Sequence, residues 1–188
     1  MSVDPKNMTH HVAMRDGLPA VIRPTLLEES QQDWQAHPRF AGKARFFMNI
    51  HRQLLNGADW VAATTETLLD VPDDDLVDQI DTLQLGQRAA HLLQFAHGHH
   101  EIEDHGYFPQ FIRLYPNLEQ AMTLLDGDHQ VLDETLGGIE TSLATTLQTP
   151  NRDTLAGLQR NAAVLRKIMH RHITDEEEVI IPIFLRHG

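Results

Sequence analysis

The feature that most constrains this chain is a short pattern written twice. From Gly98 to Pro109 the sequence reads His99-x-x-x-Glu103-Asp104 and closes on Phe108-Pro109. From His172 to Pro182 it reads His172-x-x-x-Glu176-Glu177 and closes on the proline. In both, the proline stands six residues after the first glutamate. On a helix, residues four apart share a face, with Cβ atoms roughly 5–6 Å apart. Each His and Glu can therefore reach one metal, or two metals side by side. One such pair is a common accident in a chain with 13 histidines and 27 acids. Two in the same register against proline are not.

Composition narrows what such a pair can hold. The chain has no cysteine, which removes disulfides, thiol catalysis, iron–sulfur clusters and zinc-thiolate sites together. Any metal must be held by histidine, carboxylate or water. A formal charge of −12 argues against nucleic acid or an anionic membrane as partner, since both repel an acidic surface. Met1 to Arg15 is polar, without the apolar core of a secretory signal, and no run approaches about 18 apolar residues. The expectation is a cytoplasmic protein.

Along the chain, residues 1–37 read as an N-terminal arm, broken by Gly17, Pro19 and Pro24, with a short helix over Thr25 to Ala36 that stops at His37-Pro38. Residues 38–188 carry four longer helical segments. The first is expected from about Phe40 to Leu69, and Val71-Pro72 ends it. Asp73, Asp74 and Asp75 open the second, where negative charge suits the helix N-terminus. That helix is expected to run to about Gly106, with a less regular apolar face of Leu92, Phe95, His99 and Ile102. A short helical turn covers Pro109 to Leu114. The third, Leu118 to Gln148, and the fourth, Asp153 to Leu185, have clean apolar seams. With no period-2 run of β-branched residues, the expected fold is all-α, an up-down-up-down four-helix bundle preceded by the arm.

Each long helix places a histidine on its apolar stripe: His51, His99, His129 and His172. Buried carboxylates are costly unless paired or bound to metal, and Glu103 and Glu176 lie one turn beyond two of these histidines. His51 and His129 lie about 11 residues from their helix starts, roughly 16 Å along the axis. His99 and His172 lie near the ends of theirs. Antiparallel neighbours bring all four to one level. Four His and two Glu are too many for one tetrahedral zinc and suit two metals bridged by carboxylates. Imidazole and carboxylate without thiolate point to iron, with manganese or mixed metals as alternatives. The ferritin-type Glu-x-x-His arrangement does not occur in the chain.

These residues resemble the hemerythrin-like (HHE cation-binding) domain family over most of residues 39–186. The match consists of an isolated His in the first helix, His99-x-x-x-Glu103-Asp104 before Phe108-Pro109, an isolated His in the third helix, and His172-x-x-x-Glu176-Glu177 before Pro182. The resemblance implies a bundle around a non-haem di-iron centre with Glu103 and Glu176 bridging the irons. The metal set is then His51, His99, Glu103, His129, His172 and Glu176. The implied cofactor is two iron ions (Fe2+/Fe3+) with a bridging oxygen species, manganese or zinc being substitutes. One departure stands out. Oxygen-carrying members have a second His one turn from the third-helix His; here those positions are Leu125 and Asp133. Either one iron keeps an open or water-filled position or Asp133 turns inward, which counts against simple oxygen carriage.

Bland readings compete at each position. His51 and His129 also suit hydrogen-bonded core histidines, and His172 with Glu176 suits a solvated acidic helix end, as Glu177 and Glu178 are expected to be. Two rival registers exist, His97 with Glu101 and His100 with Asp104; the spacing to Phe108-Pro109 selects His99. His100, Tyr107 and Asp133 are candidates for an extra ligand or for residues supporting the ligands. The leading expectation is a di-iron protein that binds O2, peroxide or NO. The alternatives are a peroxide-decomposing or oxidase enzyme, and an iron or oxygen sensor or iron-handling module without turnover. The sequence names no protein partner.

Overall fold

A computed structural model describes residues 9–187; the first eight residues of the expected arm, and Gly188, lie outside the described residues. Among the described residues the chain is all-helical, without a strand. Its α-helices are α1 (Lys43–Leu68), α2 (Asp73–Thr82), α3 (Leu85–Ile102), α4 (Phe108–Leu114), α5 (Glu119–Gln148) and α6 (Arg152–His187). A π-helical turn, Glu103–Tyr107, joins α3 to α4. No helix is long and apolar enough to cross a membrane.

The expected second helix is not continuous. Leu83 closes α2 by donating to the Gln79 carbonyl, and Gln84 then takes φ 54, the left-handed region that ends helices. Glycine usually marks that position, and none stands here, so the break has no sequence signal. The π-turn that follows α3 widens the helix there by one residue. Ile102, expected to face inward, is 60% exposed, while Glu103 beside it is fully buried.

The chain divides into two compact units. The first gathers the chain up to Gln53, His100–Gln130 and the chain from His170 onward. Its core joins Leu18, Ile22 and Trp34 of the N-terminal segment to Phe47, Phe108, Phe111, Met122, Leu125, Ile180 and Phe184. The second comprises Leu54–His99 and Val131–Met169. There Leu54, Val61, Leu92, Leu136, Ile139, Leu158 and Leu165 are buried at helical spacing, and the Arg88 guanidinium lies 3.5 Å from the Trp60 ring centre.

The N-terminal segment differs from expectation. Instead of a helix over Thr25 to Ala36 it makes two single 3-10 turns, Arg23–Thr25 and Trp34–Ala36. Leu26 leaves the first of them in an extended conformation. Nor is it a detached arm: Val12, Leu18, Ile22 and Trp34 are buried, and the Trp34 indole donates to the Glu29 carbonyl at 3.1 Å. Apolar anchors too sparse for a helical stripe still serve as single plugs. Truncating a buried Trp costs about 3–5 kcal/mol. Trp34→Ala is therefore expected to lower unfolding free energy by about 3 kcal/mol or more, measured by urea titration. A loss under about 0.5 kcal/mol, the usual range for a surface substitution, would show that the segment is not core.

Candidate metal centre

The first unit assembles its polar interior from four directions. His51 comes from α1, Glu103 from the π-turn, His129 from α5, and His172 with Glu176 from α6. His51, Glu103 and Glu176 are completely buried, and His129 and His172 nearly so. The π-turn places Glu103: Phe108 donates its N–H to the Glu103 carbonyl, five residues back. Gly106, the weakest helix former short of proline, lies inside that turn. Pro109 follows it, with no N–H and a ring that disturbs a tight α-turn before it. Pro182, at the same spacing after Glu176, sits inside an unbroken α6, so proline alone does not impose the wide turn. Such turns recur at functional sites.

The inward atoms converge. His51, Glu103 and Glu176, all buried, each offer one nitrogen or carboxylate oxygen, and these atoms lie within 4.8 Å of one another; His99, in the second unit, is buried as well. His129, His172 and Glu176 form a second such group, so Glu176 belongs to both. Glu103 also spans: Oε1 is 3.9 Å from His51 Nε2 and Oε2 is 3.6 Å from His129 Nε2. Glu176 Oε2 is 3.2 Å from His51 Nε2 and 3.6 Å from His172 Nε2.

The outward nitrogens of three histidines are each held by a further carboxylate. His51 Nδ1 is 3.0 Å from Glu177, His129 Nδ1 is 2.7 Å from Asp104, and His172 Nδ1 is 3.3 Å from Asp128. A carboxylate accepts, so Nδ1 carries the proton and the neutral ring presents an Nε2 lone pair inward. This is how proteins orient histidines toward metals. One consequence is visible. The Nε2 atoms of His129 and His172 face each other at 3.1 Å. Two lone pairs at that distance repel unless a cation, metal or proton, lies between them.

Electrostatics agree. Glu103 sits well above the usual carboxylate range, because burial disfavours its charge and the neighbouring Glu176 adds like charge. His51 holds a proton well above the usual imidazole range: burial opposes this, but Glu176, Glu103 and Glu177 together outweigh it. Burial also opposes the charge of His129, and its bond to Asp104 and the charge of Glu176 again prevail and raise it. Asp128 is the converse case. Burial pushes its carboxyl up, but Arg15 and His172 hold it below the ordinary value. The donor set itself, imidazole nitrogens and carboxylate oxygens in a dry interior, fits divalent iron, manganese or zinc.

The remaining expected residues fall out as follows. His100 is buried and its ring stacks on His129, centroids 4.2 Å apart; it is in neither converging group. Tyr107 packs edge-on to Phe47 at 4.9 Å and against Phe111 and Phe184. Asp133 does not turn inward: its side chain is 49% exposed and faces His97 at 3.8 Å. Leu125 is fully buried, so neither position one turn from His129 supplies a donor. Glu177, expected in solvent, is a correction: its side chain is 15% exposed and bonds His51. Sequence reasoning missed the roles of Asp104, Asp128 and Arg15. The second acid of each repeated motif was in plain view, and in both copies it grips a histidine of another helix. Asp128 and Arg15 carry no comparable signal.

A family model for the hemerythrin HHE cation-binding domain matches residues 43–184. No curated protein and no solved structure matches the chain. The matched span includes every helix that contributes to the polar interior, and on that match the chain belongs to the hemerythrin HHE cation-binding domain family.

Proposed function

We propose that this protein holds two iron ions between Glu103 and Glu176 and binds a small ligand, O2, peroxide or NO, at them. The observation that carries the reading is the convergence of Nε2 lone pairs and two buried carboxylates on one interior, with the Nδ1 atoms of His51, His129 and His172 tied off behind. Under it, His51, His99, Glu103 and Glu176 hold one cation. His129, His172 and Glu176 hold the other, with Glu103 reaching both. The helices α1, α3, α5 and α6 are taken as the four members of an up-down-up-down bundle, an arrangement that would bring their histidines to one level. When bound, iron supplies the redox change and the open position that such ligands require.

The chain's own residues supply the rest. Glu177, Asp104 and Asp128 hold three imidazoles in the orientation that aims Nε2 inward. Phe47, Tyr107, Phe111 and Phe184 form an aromatic wall next to His51 and limit water. Leu125 and the outward Asp133 leave the His129 side with fewer donors than an oxygen carrier of the family, which favours a ligand-reactive centre over simple carriage. A cavity of about 180 Å³, lined by Asp104, Phe108, Pro109, Ile112, Met122, Thr123 and Asp126, reaches Asp104 and Phe108, both of which touch His129. Its size suits a ligand of a few atoms.

Protein purified in air is expected to carry about two irons per chain with near-ultraviolet ligand-to-iron bands, as a two-metal carboxylate site requires. His172→Ala should lose at least one of them; full retention would remove its assigned role. A second expectation concerns pH. Glu103, His51 and His129 have folded pKa values above their unfolded ones. The metal-free fold therefore binds more protons than the unfolded chain, and this contribution is lost as pH rises above about 4 for Glu103 and about 6.5 for the two histidines. Metal prefers deprotonated donors. The rise in Tm on adding ferrous iron anaerobically should accordingly grow between about pH 5 and about pH 8. A rise that shrinks or stays level over that range would count against these groups as ligands.

A further inference from the structure

We infer that Arg15, in the N-terminal segment outside the matched family region, is a positioning residue for the metal centre. It acts through Asp128 on His172. This rests on the di-iron reading above for its consequence, but not for its geometry.

Arg15 does not behave as a surface arginine. Its side chain is only 3% exposed. Nε donates to Asp175 Oδ2 at 2.8 Å, Nη1 donates to the His10 carbonyl and to Asp128 Oδ1, each at 2.7 Å, and Nη2 donates to Asp128 Oδ2. The fork thus grips Asp128 with both terminal nitrogens, the geometry in which arginine fixes a carboxylate's position as well as its charge. Asp128 Oδ2 in turn faces His172 Nδ1 at 3.3 Å. Asp175, fully buried, also accepts from Arg171 at 2.5 Å, and Arg171 donates to the Asp16 carbonyl at 2.7 Å. The segment around Arg15 is therefore stitched to α6 one turn from His172 by two arginines.

The other outer carboxylates, Asp104 and Glu177, are adjacent in sequence to Glu103 and Glu176 and are set by the motif helices themselves. Asp128 is set by a residue from a different part of the chain. A carboxylate with one side held by Arg15 has its remaining lone pair fixed toward His172, so His172 keeps its proton on Nδ1 and its lone pair inward. Without the guanidinium, Asp128 is left to rotate, and His172 loses that orientation. The donor group of His129, His172 and Glu176 should suffer; the group of His51, His99, Glu103 and Glu176 should not.

The test compares the full chain with Arg15→Gln, Asp128→Asn and a control, Arg23→Gln. Arg23 also links the N-terminal segment to α6, through Glu178 at 3.1 Å, but both side chains are exposed and neither touches the site. Two readouts are taken. Long-range 1H–15N spectra of the metal-free proteins report the His172 tautomer. Anaerobic calorimetric titration with ferrous iron reports the two binding events separately. The expectation is an Nδ1–H His172 in the parent and the control, and a mixed or Nε2–H form in Arg15→Gln and Asp128→Asn. One of the two affinities should fall by about tenfold or more in both variants, the range for residues that orient metal ligands, while the other stays within about twofold. If Arg15→Gln does not fold, Asp128→Asn, which keeps the shape of the side chain, carries the test. An unchanged tautomer with both affinities intact would overturn the inference. An equal fall in both affinities would also overturn it, as it would mark Arg15 as merely structural. A parent that binds no iron yet shows the tautomer change would instead sink the di-iron reading and leave the Arg15–Asp128–His172 link standing.

Discussion

Two carboxylates, Glu103 and Glu176, face the same dry interior, and the first unit is built around the need to neutralise them. Removing an ionised carboxylate from water costs several kcal/mol even after the protein relaxes. A hydrogen bond to a charged group returns about 1.5–3 kcal/mol. Neutral imidazoles alone leave that difference open. Protons close it in part, which is why Glu103 and His51 both titrate far above their ordinary ranges. A divalent cation held by these carboxylates and imidazoles would close it more completely, because it needs neither to be displaced.

The supporting structure follows from that demand. Every imidazole that aims a lone pair inward needs something behind it, and the chain provides Glu177, Asp104 and Asp128. Each of those carboxylates adds negative charge near the centre, so the outer layer has its own compensation problem. Asp104 and Glu177 retain some exposure to water. Asp128 does not, and together with the fully buried Asp175 it draws in Arg15. An N-terminal segment without regular helix is thereby held in the core by charge as well as by Trp34 and Ile22.

Much of this was legible from residues. The burial of His51, His99, His129 and His172 on their helical seams follows from spacing, because helix geometry is rigid. The boundaries of α1, α5 and α6 were readable for the same reason. What escaped the sequence depended on one-residue irregularities and on long-range polar pairing. Gln84 breaks the second segment in a left-handed conformation that no glycine announces. The π-turn after α3 is one such irregularity, and Ile102 just before it faces outward against its apolar character. Glu177 lies in an acidic run that resembles a solvated helix end, and only the position of α1 shows that it serves His51. Arg15 is one of 15 cationic residues, with nothing local to say that it turns inward. Periodicity encodes which face is buried; it does not encode which buried charges meet.

The most direct test of the central claim is diffraction at the iron absorption edge from crystals grown with ferrous iron in the absence of oxygen. The account predicts two anomalous peaks flanked by Glu103 and Glu176, one against Nε2 of His51 and the other against Nε2 of both His129 and His172. Peaks confined to surface acids, iron bound through the Nδ1 atoms, or an interior without iron would contradict it.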